Sequence, residues 1–151
     1  MDEIYWIYII DELGKTLFSY ENHIQGSSTA NTALLSHLIY ALQAISKDIR
    51  EDQVKGVEMG NDKFFLTKEK LTKYLFILKT HRDANSEEIN PLLNEIKTKF
   101  VEKFTGHFSV DVNKKIEILH SFREDIKEIL KRKTNLEKFT ENTTENFLGQ
   151  L

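Results

Sequence analysis

A chain of 151 residues, 40% apolar and 30% charged, has the makeup of one folded domain and not of a disordered tail. Its net charge of −3, with acids and bases interspersed, argues against a nucleic-acid partner. The lack of cysteine excludes disulfides, thiol nucleophiles and zinc–thiolate sites.

Asp2 and Glu3 stand where a secretory signal carries positive charge, and the apolar run behind them ends at Asp11. That run is about half the length a membrane-spanning helix needs. The expected location is cytoplasmic, with membranes reached only indirectly, through partners. Within that run, Ile4–Ile10 is apolar on both alternating faces, as a strand covered on both sides must be. Gly14 then supplies a turn, and the shorter, more polar Thr16–Tyr20 reads as an edge strand.

Gly26-Ser27-Ser28 offers hydroxyl caps to a helix over Ser28–Ile49, whose stripe is Leu34, Leu35, Leu38, Leu42, Ile45 and Ile49. Gln53–Met59 is a weakly apolar strand that turns at Gly60-Asn61-Asp62 into Lys63–Leu66. A turn at Lys68-Glu69-Lys70 leads to Thr72–Thr80, whose centre, Tyr74–Leu78, is the second doubly apolar run.

Asn85 and Glu88 have capping-box spacing for a helix over Ser86–Phe104, with Ile89, Leu93, Ile96, Phe100 and Phe104 on one face. Pro91 sits near its start, and a start one turn later at Asn90 fits equally well. Asp111 caps a last helix running to Lys133, with the stripe Val112, Ile116, Leu119, Ile126 and Ile129. Residues 1–133 thus make one α+β domain in the order β-β-α-β-β-β-α-α. The tail, residues 134–151, spaces Leu136, Phe139, Phe147 and Leu151 in polar sequence, and reads either as a docking segment or as disorder.

The sequence holds little catalytic pattern. His23, His37, His81, His107 and His120 form no close His-x-x-x-His pair. His81-Arg82-Asp83 matches a kinase tripeptide, but position 88 is glutamate where that motif needs asparagine, so it reads as a charged turn. No glycine-rich phosphate loop and no nucleophile elbow occurs. The expectation is a non-enzyme without catalytic residues, cofactor or metal. On the first helix, His37, Ile39, Tyr40 and Gln43 fall largely off the leucine stripe, where Ile39 and Tyr40 either widen the core arc or anchor a partner.

The opening "IYWIYII", the "DELGKTLFSY" hairpin, the "SSTANTALLSHLIYALQAI" helix and the "KYLFILKT" strand followed by a helix resemble the longin domain. That module occurs in sedlin-like tethering subunits, small clathrin-adaptor chains, longin SNAREs and the signal-recognition-particle receptor. The related roadblock domain places a helix before its first strand, whereas this chain begins with a strand. The resemblance implies a sheet of order 2-1-5-4-3 with one helix on one face and two on the other. It implies an interaction platform in vesicle trafficking or small-GTPase regulation, paired with a second copy or another longin or roadblock domain. The implied partner surface is His37, Ile39, Tyr40 and Gln43 on the helix with Val54, Lys55 and Val57 on the third strand. Eighteen residues beyond Lys133 do not provide a SNARE coiled coil. The alternative is a PAS-, GAF- or profilin-like sensor, with a ligand held against the sheet by Trp6, Tyr8, Phe64 and Phe76.

Overall fold

In a computed structural model that describes residues 4–22, 32–50, 53–106 and 111–149 (side chains in 4–22, 37–50, 53–106 and 111–132), five strands and three helices form. They are β1 (Ile4–Ile10), β2 (Thr16–Glu21), α1 (Thr32–Ser46), β3 (Val54–Met59), β4 (Asp62–Lys68), β5 (Leu75–His81), α2 (Ser86–Phe104) and α3 (Val112–Gly149). The strands make one antiparallel sheet of order β2-β1-β5-β4-β3. This is the α+β order and the sheet order expected. Two compact units divide the chain within α2, one spanning Asp2–Lys97 and the other Thr98–Leu151.

In the first unit, β1 and β5 lie at the centre because both of their faces are apolar. Trp6, Tyr8 and Ile10 share a face with Ile77, Leu75, Phe64 and Leu66, and this face meets Ile39, Leu42 and Ile49 from α1 and the turn after it. Trp6 packs edge-on to Tyr8 at 4.6 Å and tilted on Phe64 at 5.7 Å, the geometry the aromatic quadrupole favours. A bulge between Ile4 and Trp6 leaves Tyr5 as the extra residue, and it packs against this same cluster. On the opposite face are Ile7, Ile9, Phe65, Phe76 and Leu78, all buried. The first three turns of α2, with Ile89, Leu92, Leu93 and Ile96 buried, are bonded to the β4 residues of that face at both ends. The Lys63 ammonium reaches the Ser86 hydroxyl at 3.1 Å, and the Lys97 ammonium donates to the Thr67 hydroxyl at 3.3 Å.

The turns follow from their residues. Asp11 Oδ1 accepts the amides of Leu13 and Lys15 at 2.9 Å each, and Gly14 takes φ +86°. Gly60 is the first of two residues joining β3 to β4 and has φ +60°, as a type II′ hairpin needs. Between β4 and β5 the chain wraps around Glu69, which is 5% exposed. Its Oε2 accepts the Leu71 amide at 2.7 Å, the Thr72 amide at 2.6 Å and the Thr72 hydroxyl at 2.8 Å. Lys73 follows at φ +63°. This loop delays β5 to Leu75, where the sequence pattern starts a strand at Thr72.

α1 ends at Ser46, three residues before the expected Ile49, and Ser46 Oγ donates back to the Gln43 carbonyl at 2.6 Å. The expected start at Ser28, its Gly26–Ser28 cap and the side chains of Leu34 and Leu35 lie outside the described residues. α2 has the expected bounds: Asn85 Oδ1 accepts the Glu87 amide at 2.9 Å, and its carbonyl accepts the Ile89 amide at 3.1 Å. Pro91 therefore lies inside the helix, where it withholds the N–H that the Glu87 carbonyl would accept.

The second unit holds the end of α2 together with α3. Phe100 stacks on Phe104 at 4.4 Å and meets Phe122 edge-on at 5.4 Å. Lys103 pairs with Asp125 at 3.2 Å and donates to Ser121 Oγ at 2.6 Å. Asp111 caps α3 as expected, accepting the Lys114 amide at 2.9 Å. The expected stripe of α3 holds at Ile126 and Ile129 and is corrected at its N-terminal end. Val112 and Ile116 are 71% and 58% exposed, while Ile118, Phe122, Ile126 and Ile129 are buried. α3 carries two apolar faces, and the one bearing Phe122 turns inward because an aromatic ring buries the most area against Phe100. The helix also continues to Gly149, beyond the Lys133 at which the sequence pattern ends it.

Candidate interaction surface

α1 presents an inner and an outer face over the described part of its length. Ile39, Leu42 and Ser46 are buried, and Leu38 and Ile45 pack half-buried on the core. His37, Tyr40, Ala41 and Ala44 are exposed. Tyr40 is 75% exposed, a large aromatic ring on a helix face that otherwise carries His37 and two alanines.

Of the helix residues expected to meet a partner, His37 and Tyr40 point outward. Ile39, 8% exposed, belongs to the core. Gln43 is half-buried and tied down: its Nε2 donates to the Glu12 carbonyl at 2.9 Å, holding α1 to the β1–β2 turn.

β3 is one edge of the sheet. Its pairing across a two-residue loop, Met59 opposite Asp62, sets which backbone groups face outward. In such a hairpin Met59, Val57 and Lys55 exchange hydrogen bonds with β4, and Val54, Gly56 and Glu58 turn theirs away. The Arg82 amide, bonded to the Asn61 carbonyl at 2.9 Å, fits this phase, since odd-numbered residues of β4 then face β5. Lys55, Gly56 and Glu58 are exposed, Val54 is half-buried, and Val57 packs its side chain on the α1-side core. The edge thus shows backbone at its middle, where Gly56 carries no side chain.

The titratable groups make small local pairs. Tyr8 donates to Glu21 Oε1 at 3.1 Å, and burial, with help from that carboxylate, raises its pKa to about 12. The Lys79 ammonium pairs with Asp62 at 3.5 Å and lies over the rings of Tyr5 and Trp6. His81 is exposed beside Asp83 at 3.5 Å, and His37 and His120 are exposed, while His23 and His107 lie outside the described residues. Among the described residues no group of three histidine or acidic side chains is placed to hold a metal ion. Trp6, Tyr8 and Phe64 pack on one face of the sheet, whereas Phe76, opposite Ile9 and Thr67, lies on the other. The four aromatics of the sensor alternative are therefore not lining one cavity.

Two exposed leucines escape the sequence reading. Leu13, 91% exposed, tips the β1–β2 turn, and Leu71, 81% exposed, tips the β4–β5 loop. The available signal was an apolar residue inside each turn sequence, next to lysine in the second.

No protein-family model matches the chain, and no curated protein matches it in sequence. Among the described residues no helix is long and apolar enough to cross a membrane.

Proposed function

We propose that the chain is a non-catalytic interaction platform of longin type, acting in membrane trafficking or small-GTPase regulation by pairing with a protein partner. The observation that carries this reading is the sheet order β2-β1-β5-β4-β3, with α1 inserted between β2 and β3 in sequence and β3 left as an open edge. An edge with outward backbone groups at Val54, Gly56 and Glu58 accepts a further strand, and Tyr40 supplies an aromatic anchor on the helix. Lys55 adds charge to the edge, and His37 adds a polar contact to the helix. Ile39, Gln43 and Val57 support these groups from within. The partner is a second copy, another longin or roadblock domain, or a small GTPase.

The test is the mass of the purified chain by light scattering, alone and with purified small GTPases in each nucleotide state. A dimer or a nucleotide-dependent complex is expected. A strict monomer that binds no GTPase in either state overturns the proposal.

A further inference from the structure

Ile10 at the end of β1 and Lys68 at the end of β4 both stand opposite Leu75 at the start of β5. The β1–β2 turn and the β4–β5 loop therefore leave the same end of the sheet, about 10 Å apart where they start. Each lifts one leucine into solvent, Leu13 at 91% and Leu71 at 81% exposure. These are the two most exposed large apolar side chains among the described residues.

Both tips are held by carboxylates that turn back into the chain. Asp11 Oδ1 binds the amides of Leu13 and Lys15, and Glu69 Oε2 binds those of Leu71 and Thr72. The leucines are thus presented on ordered backbone, so inserting them elsewhere forfeits little chain entropy. The same arrangement sorts the charges. Glu69, the acid of its loop, is 5% exposed and used internally, while Lys70 and Lys73 are exposed and Lys68 is half-buried. Lys15 adds an exposed cation on the neighbouring turn, where Glu12 is the exposed acid. Counted in full, the two loops carry four lysines (Lys15, Lys68, Lys70, Lys73) against three carboxylates (Asp11, Glu12, Glu69), a net +1 concentrated on the Leu71 side, in a chain whose net charge is −3.

We propose that this end of the sheet docks on an anionic lipid bilayer. Leu13 and Leu71 enter the boundary between headgroups and acyl chains, and Lys15, Lys68, Lys70 and Lys73 meet the lipid phosphates and carboxylates. A leucine tip flanked by Lys70 and Lys73, beside a second tip with Lys15 on its turn, suits that interface, where burial and charge attraction act together. Contact with lipid is then direct, in addition to any contact through partners, and it does not depend on the β3 edge or on Tyr40.

Co-sedimentation of the full chain with vesicles tests this. Binding is expected to phosphatidylcholine vesicles containing about one-third phosphatidylserine, and to weaken as salt rises. Leu13→Ser with Leu71→Ser should lower the affinity at least tenfold. Leu71→Trp should keep binding and show a blue-shifted emission on the vesicles. Folding is not at issue, because both leucines are exposed. Absence of binding, equal binding to pure phosphatidylcholine, indifference to the double leucine variant, or capture by soluble polyglutamate but not by vesicles each overturns the proposal.

Discussion

Gln43 on α1 donates to the backbone carbonyl of Glu12 at 2.9 Å, so one amide fixes the helix to the β1–β2 turn. The same side chain lies over Gly14: a Cβ built there would stand 2.8 Å from Gln43 Oε1. Gly14 is thus favoured by its φ of +86°, and a Cβ there would have to push the end of the Gln43 side chain aside. Gly14→Ala should cost about 1–2 kcal/mol in urea unfolding. Gln43→Ala should cost about 1 kcal/mol in the parent and less in the Gly14→Ala background, where the contact is already displaced. Strict additivity of the two changes would remove this coupling.

Tyr8 gives the fold an alkaline signature. Its pKa of about 12 in the folded chain lies above the unfolded value of 10.0, so the folded state keeps a proton that the unfolded state loses first. Stability is therefore unaffected by this group below pH 10 and falls between pH 10 and about 12. The loss is on the order of 2 kcal/mol. Tyr8→Phe should cost about 1 kcal/mol at neutral pH through the lost bond to Glu21, and should flatten the alkaline decline. Identical alkaline slopes for parent and variant would contradict the assignment.

On α3, the inward face is set by Phe122, not by Ile116. Phe122→Ala should cost about 3–5 kcal/mol, since it empties the site against Phe100. Ile116→Ala should stay within about 0.5 kcal/mol because Ile116 is 58% exposed. Thermal unfolding of the two variants decides which stripe is buried, and a larger loss for Ile116 would reverse the helix orientation described.

Much of this fold was legible because its signals are periodic. Doubly apolar Ile4–Ile10 and the run around Phe76 and Ile77 marked the central strands, and Asn85 and Asp111 marked two helix starts through local hydrogen bonds. The C-terminal half of the α3 stripe, Ile126 and Ile129, was legible, but its N-terminal half was not. Val112, Ile116 and Leu119 continue it at helical spacing, as do Ile118 and Phe122, and only the position of Phe100 decides between them. The late start of β5 was hidden for a related reason. Thr72 and Tyr74 have strand propensity, but the Glu69 carboxylate holds Leu71 and Thr72 in the loop. On the candidate surface, spacing grouped Ile39 and Gln43 with Tyr40, and three-dimensional contacts drew the first two inward.

That carboxylate makes the β4–β5 loop a test in its own right. Glu69→Gln keeps the shape but weakens three hydrogen bonds to one oxygen, and should cost about 1–3 kcal/mol. The amides of Leu71 and Thr72 should exchange faster in the variant. Unchanged exchange would mean that the loop is held by other contacts.

Amide hydrogen exchange of the chain, alone across a concentration series and with purified small GTPases in each nucleotide state, tests the proposed platform most directly. The prediction is that association slows exchange at Val54, Gly56 and Glu58 on the outer edge of β3, and that Tyr40→Glu weakens the association at least tenfold. An association that leaves these three amides exchanging as in the lone chain, or no association at all, contradicts it.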